Sequence, residues 1–202
     1  AGLKFDWENG EVISILEDGN AGSPRYEYVY DESSKSFKPK DEGQKMVVGT
    51  KYFALKAVNP VYNFITVEEG KSIVKLDLQT GAYDKKGLPE IPLISDVFTA
   101  DASGTVATMH HLCGVVEVPV NLSVEQAALN VTYFSIYSSD GKLAGEYTAT
   151  PYPPYFLGTS TPSNTAYSET KTTPYEAGNT TVFIPVLPGT CTGVFLNVYY
   201  DG

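Results

Sequence analysis

The chain is poor in the residues that site chemistry draws on most: 202 residues hold two cysteines, two histidines, two methionines and one tryptophan. Cys113 and Cys191 lie far apart, without Cys-x-x-Cys spacing, which argues against a cysteine zinc site. They are either a disulfide of an extracytoplasmic protein or two separate thiols. Basic residues are scarce too. Fourteen Lys and Arg against 24 Asp and Glu give a formal charge of -10. A nucleic-acid partner needs clustered cations, and the lone basic doublet, Lys85-Lys86, sits beside Asp84 in a turn. A solvated acidic surface is the plain reading of this charge. No apolar run approaches the ~20 residues that span a bilayer as a helix. The chain begins without Met and without a signal-peptide pattern, so a trimmed or mature form is expected, its export signal or lipid anchor removed.

Helix-forming runs are nearly missing as well. What fills the chain is Tyr, Thr, Val and Phe, punctuated by Gly and Pro at short intervals, the pattern of a β-sandwich. Strands are expected at residues 11–16, 25–30, 36–37, 46–48, 51–58 and 72–78, with Tyr26, Tyr28 and Tyr30 on one face. An irregular stretch covers residues 79–96. Residues 104–120 read as the longest strand, with Val115, Val116, Val118 and Val120 in a core. Residues 124–129 offer the one plausible helical turn, and a strand flank fits them equally. Asp140-Gly141 between residues 130–137 and 142–149 signals a tight hairpin. A Pro, Tyr and Thr-rich segment near residues 150–175 reads as a long loop or partial strands within a single domain spanning residues 1–202, and two strands follow at 180–186 and 193–199.

The search for chemistry yields little. His110 and His111 are neighbours on a strand, so their side chains point to opposite faces and cannot share a metal ion. There is no Gly-x-Ser-x-Gly elbow, P-loop or dinucleotide fingerprint. Cys113 sits in an apolar context that keeps a thiol inert. The acidic loop at residues 96–101 lacks EF-hand spacing. No catalytic residue, metal ligand or cofactor site is assigned. Two features remain open. Tyr152, Tyr155 and Phe156, interleaved with prolines and close to Tyr147, are either rings that stack on a sugar or a partner, or a segment packed over the sandwich edge. Asn121, Asn130 and Asn179 head Asn-x-Ser/Thr triplets, which accept glycans only in a eukaryotic secretory pathway.

An ordered series of short motifs runs through the chain: Phe5-x-Trp7, Gly10-Glu11-x-Ile13-Ser14-Ile15, Lys51-Tyr52-Phe53-Ala54-Leu55 ending near Pro60, and Gly87-Leu88-Pro89-x-Ile91-Pro92-Leu93. It continues with Met109-His110-His111-Leu112-Cys113-Gly114-Val115-Val116, then IYSSDGKLAG from Ile136, and Thr181-Val182-Phe183-Ile184-Pro185-Val186-Leu187-Pro188-Gly189. Taken together, the series resembles the fimbrillin-like proteins of Bacteroidetes, pilus subunits and related surface lipoproteins. Met109 stands where that family commonly has Phe.

The resemblance implies a transthyretin-like β-sandwich, export to the cell surface, and an outer-membrane anchor or a place in a fimbria. It also implies assembly by β-strand addition, with other fimbrial subunits or further copies of the chain as partners, and host glycans or proteins as targets. A second sandwich, usual in that family, is expected to be missing or reduced here, and no lipobox cysteine is seen. No catalytic role is implied. The alternatives carried forward are a non-catalytic surface carbohydrate-binding module using Tyr152, Tyr155 and Phe156, and a hydrolase built on a sandwich, which needs two carboxylates facing one cleft.

Overall fold

The computed structural model describes residues 6–56, 65–78, 91–168 and 173–200. Residues 57–64 and 79–90, which include Pro60 and the Gly87-Leu88-Pro89 motif, lie outside the described residues, as does Phe5. The protein is all-β. Several antiparallel sheets account for nearly all its regular structure, an arrangement consistent with a β-sandwich.

The first body starts with β1 (Val12–Glu17), β2 (Tyr26–Asp31), β3 (Ser36–Pro39) and β4 (Lys51–Lys56). Strands β7 (Leu93–Ser95), β8 (Phe98–Thr99) and β9 (Met109–His111) complete its larger sheet, ordered β3-β2-β1-β4-β7-β9 with β8 beside β4. The facing sheet holds β5 (Ile65–Glu68), β6 (Lys71–Leu78), β12 (Ala144–Ala149) and β13 (Phe156–Ser163), ordered β13-β12-β6-β5. Leu16, Phe53, Leu55, Ile94 and Leu112 from the first sheet meet Val74, Leu76, Leu78, Tyr147 and Ala149 from the second. Period-two alternation in β6 produces this, burying Ser72, Val74, Leu76 and Leu78 on one face. Strands β1 and β4 lose their alternation because both faces are covered. Ile13, Ile15, Tyr28, Tyr52 and Ala54 form another core on the outer side, packed with Trp7, Phe37, Met46 and Phe98.

The second body has a smaller core. Strands β10 (Gly114–Leu122) and β15 (Gly178–Val186) pair along their whole length, from Gly114 opposite Val186 to Leu122 opposite Gly178. The accompanying sheet is β14 (Thr165–Tyr167), β11 (Val131–Ser138) and β16 (Val194–Tyr200), ordered β14-β11-β16. Leu122, Val131, Phe134, Ile136, Ala166, Val182 and Ile184 fill the space between. Val116, Val118 and Val120 pack against this core only partly buried, and Val115 falls on the opposite face of β10. Between β10 and β11 lies α1 (Val124–Ala127), one turn closed by a capping box in which Ser123 and Gln126 satisfy each other's backbone N–H groups.

A bent ribbon joins the two bodies. Strand β12 pairs with β13, and their neighbours β11 and β14 pair in turn, so one long antiparallel ribbon crosses from the first core to the second. Leu143 N–H donates to Ser163 O at 2.8 Å and Ser138 N–H to Asn164 O at 3.0 Å, carrying the ladder across the bend. Gly145 makes the close approach possible. Its φ is +104°, and a Cβ there would lie 2.1 Å from Thr161 O.

This ribbon corrects the expected hairpin at Asp140-Gly141. Strands β11 and β12 belong to different sheets and do not pair with each other. Asp140 is drawn away from a two-residue turn because its carboxylate accepts bonds from the Thr192 N–H (2.9 Å) and the Thr192 hydroxyl, leaving Gly141 packed against Cys191 Cβ. One other expectation fails, and two open alternatives are decided. Residues 46–48 and 104–108 are not strands, and Val47, Val48 and Val106 stay exposed, Val106 at 94%. The proline-rich segment contributes β13 and β14. The disulfide is absent: Cys113 is buried in the first core, whereas Cys191 is exposed in the turn before β16.

Candidate functional site

The aromatics singled out from the sequence turn inward. The chain between β12 and β13 folds across the end of the first sandwich, with a cis peptide bond between Pro153 and Pro154. The Tyr152 hydroxyl donates to Asp18 Oδ2, and Asp18 Oδ1 in turn accepts from the Ser72 N–H at 3.3 Å. Burial and that Asp18 contact push the Tyr152 phenol up to about 12. The Tyr155 hydroxyl donates to Asp96 Oδ1 at 2.6 Å, which raises the phenol and lowers the Asp96 carboxyl. His110 stacks on the Tyr155 ring, centroids 3.9 Å apart and planes at 14°. Its Nε2 is 3.2 Å from Asp96 Oδ2, an ion-pair distance outside hydrogen-bond geometry. Phe156 leans on buried Tyr147, centroids 5.6 Å apart. Tyr152 and Tyr155 therefore tie this segment to the loops of the opposite sheet, while Phe156 packs on its own sheet. The sequence alternative in which the segment packs over the sandwich edge describes them.

Among the described residues, no group of three or more His, Cys, Asp or Glu side chains is placed to hold a metal ion. Burial pushes the Cys113 thiol up to about 12, the state of a structural rather than a reactive sulfur. Asn121 and Asn179 sit directly opposite each other on β10 and β15, the Asn121 amide donating to Asn179 Oδ1 at 2.8 Å.

The feature that the protein leaves unfinished is β16. Among the described residues it pairs with β11 on one side and with nothing on the other. Its sequence VFLNVYY carries no charge and no proline. Val194, Leu196 and Val198 lie opposite Ser138, Ile136 and Phe134 and so share the core-facing side of the sheet; Phe195, Asn197 and Tyr199 lie opposite Tyr137, Ser135 and Tyr133 on the outer side. Both sides are open to solvent: Val194 is 50% exposed, Phe195 60% and Tyr200 55%. The three core-facing residues thus have the alternation that suits a core, yet lack full cover.

On the outer side the rings order themselves. Tyr133 and Tyr199 stack at 4.3 Å with planes 8° apart, Tyr167 lies 6.2 Å from Tyr133, and Tyr137 lies 6.5 Å from Phe195. Between these two groups the Asn197 amide donates to Ser135 Oγ at 3.3 Å. The start of the strand is fixed by the Asp140 clasp on Thr192, with Ser138 Oγ 2.8 Å from Thr192 O.

Other unpaired strands are guarded in the usual ways. Lys38 and Pro39 lie on β3, Glu68 on β5, Glu117 and Pro119 on β10, Pro162 on β13 and Pro185 on β15, while β9 and β14 have only three residues each. β16 has none of these guards. The sequence does signal this, because seven residues with no charge and strong β-formers follow the Gly193 turn; what it does not reveal is which flank β11 takes.

Comparison with protein-family models, curated proteins and solved structures gives no match. The fold and this edge define an all-β protein with antiparallel sheets and one bare apolar strand.

Proposed function

We propose that this protein is a fimbrillin-like structural or adhesion subunit of the cell surface, exported and held at the outer membrane or within a fimbria, that assembles by β-strand addition. In this reading the first body is a sandwich of transthyretin type. The single observation that carries the proposal is the unpaired, uncharged, half-exposed β16. A strand laid against it gains main-chain hydrogen bonds and covers side chains that now face water. Monomeric soluble proteins normally guard such edges, since they invite pairing. The ordered motif series in the sequence supports the same reading independently of the fold.

Amide hydrogen exchange tests it. In protein isolated from the cell surface, the β16 amides are expected to exchange far more slowly than in the dilute purified chain. Equal exchange in both preparations refutes strand addition at this edge.

A further inference from the structure

We infer that the strand added at β16 is β16 of a second copy, paired antiparallel about a two-fold axis that passes between the two Asn197 residues. This rests on the reading of β16 as an acceptor edge and goes on to name the occupant. The argument is the strand's self-complementarity. An antiparallel register centred on Asn197 places Val194 against Tyr200, Phe195 against Tyr199 and Leu196 against Val198, each pair occurring twice by symmetry. Every core-facing residue then meets an apolar residue. On the outer face each Tyr199 gains the other copy's Phe195, so the row Tyr167–Tyr133–Tyr199 of one copy runs into the row Phe195–Tyr137 of the other. The two three-stranded sheets become one of six strands.

Charge permits it. The whole chain carries -10, which sets copies against one another, yet β11, β14 and β16 contain no charged residue. The neutral strip is where two copies approach with least repulsion. Area sets the strength: seven residues extend about 23 Å, and a contact of that length covers less than the ~800 Å² per partner of a standard stable interface. The pairing is therefore concentration-dependent, with half-association on the order of 10⁻⁵ M. It is closed by its own symmetry, so it makes pairs.

The experiment uses the full chain in sedimentation velocity from about 1 to about 300 µM, a span bracketing that midpoint. Three proteins are compared: the natural chain, Asn197→Asp and Asn197→Lys. Since residue 197 meets itself, each variant sets like charges face to face and weakens association roughly fivefold alone, whereas an equimolar mixture of the two restores it. Circular dichroism and thermal melting confirm that both variants fold. As a second readout, Asn197→Cys in a Cys191→Ser background is expected to form an oxidised covalent dimer, because directly opposed residues have Cα atoms about 4.5–5.5 Å apart, within disulfide range.

A chain that stays monomeric throughout overturns the inference. So does a dimer indifferent to charge at residue 197 that fails to cross-link there. If either happens while β16 remains protected in surface-derived protein, a different strand occupies the edge and strand addition stands; if β16 exchanges freely there too, both fail.

Discussion

Replacing Gly145 with Ala tests the bent ribbon on which the two cores depend. Two costs arise from the geometry. The backbone at φ +104° is a conformation that L residues avoid, costing about 1–3 kcal/mol. The new methyl would also sit 2.1 Å from Thr161 O and 3.1 Å from Ser163 N, and both atoms are backbone rather than the yielding end of a side chain. Relief requires the β13 main chain to retreat by about an ångström, which breaks one or two ladder bonds worth about 0.5–1.5 kcal/mol each. The sum is about 2–6 kcal/mol, and for a chain of this size it lowers Tm by about 5–20 °C. Urea denaturation followed by tyrosine fluorescence measures it, with Gly114→Ala as the control. Gly114 has no positive φ, and its Cβ would make only an ordinary 3.9 Å contact with Val186, so that change should be neutral or stabilising by up to about 1 kcal/mol. If Gly145→Ala costs less than about 1 kcal/mol, the account of the bend is wrong.

The buried pair of Lys56 and Glu11, set against Trp7, gives a second expectation: Glu11→Ala alone takes the carboxylate from a buried ammonium and costs about 3 kcal/mol, whereas replacing both partners with apolar residues recovers most of it by chemical denaturation. Thiol labelling with a chromogenic disulfide should modify one cysteine, Cys191, in the folded chain and the second, Cys113, only after unfolding; two fast thiols, or none, would contradict the arrangement. For pH, the Thr192 hydroxyl and N–H together with Ser138 hold the Asp140 carboxyl down to about 2 from its ordinary 3.8. A depressed carboxyl stabilises the folded state fully above its unfolded value and loses that contribution as pH falls through its folded value. Melting temperature should therefore drop between about pH 4 and pH 2, and Asp140→Asn should remove part of that drop; an identical acid profile in the variant would contradict the clasp.

The strands that alternate were legible from the residues, because their pattern and their burial have the same period. Strand β6 is of this kind, and so is the run of β10 through Val116, Val118 and Val120. The short helix was legible as one of two options for residues 124–129, and the capping box of Ser123 and Gln126 decides between them in the structure. Asp140-Gly141 misled because a local turn signal competes with long-range bonds: Thr192, 52 residues away, takes the carboxylate that a tight turn would have used. Strands β7 and β8 were hidden by their brevity and by prolines upstream. Tyr152, Tyr155 and Phe156 announced aromatic mass but not its direction, which is decided by Asp18 and Asp96 on distant loops. The bare side of β16 was out of reach for a related reason. A sequence shows that a strand lacks guards, while only the sheet order shows that it needed them.

The shared ribbon has a mechanical meaning. Strands β11 and β12 on one arm, and β14 and β13 on the other, wall both cores. A pull that separates the two bodies is carried by two covalent backbones that cross the bend side by side, so both arms must be drawn taut together. The two bodies would resist such a pull as one piece.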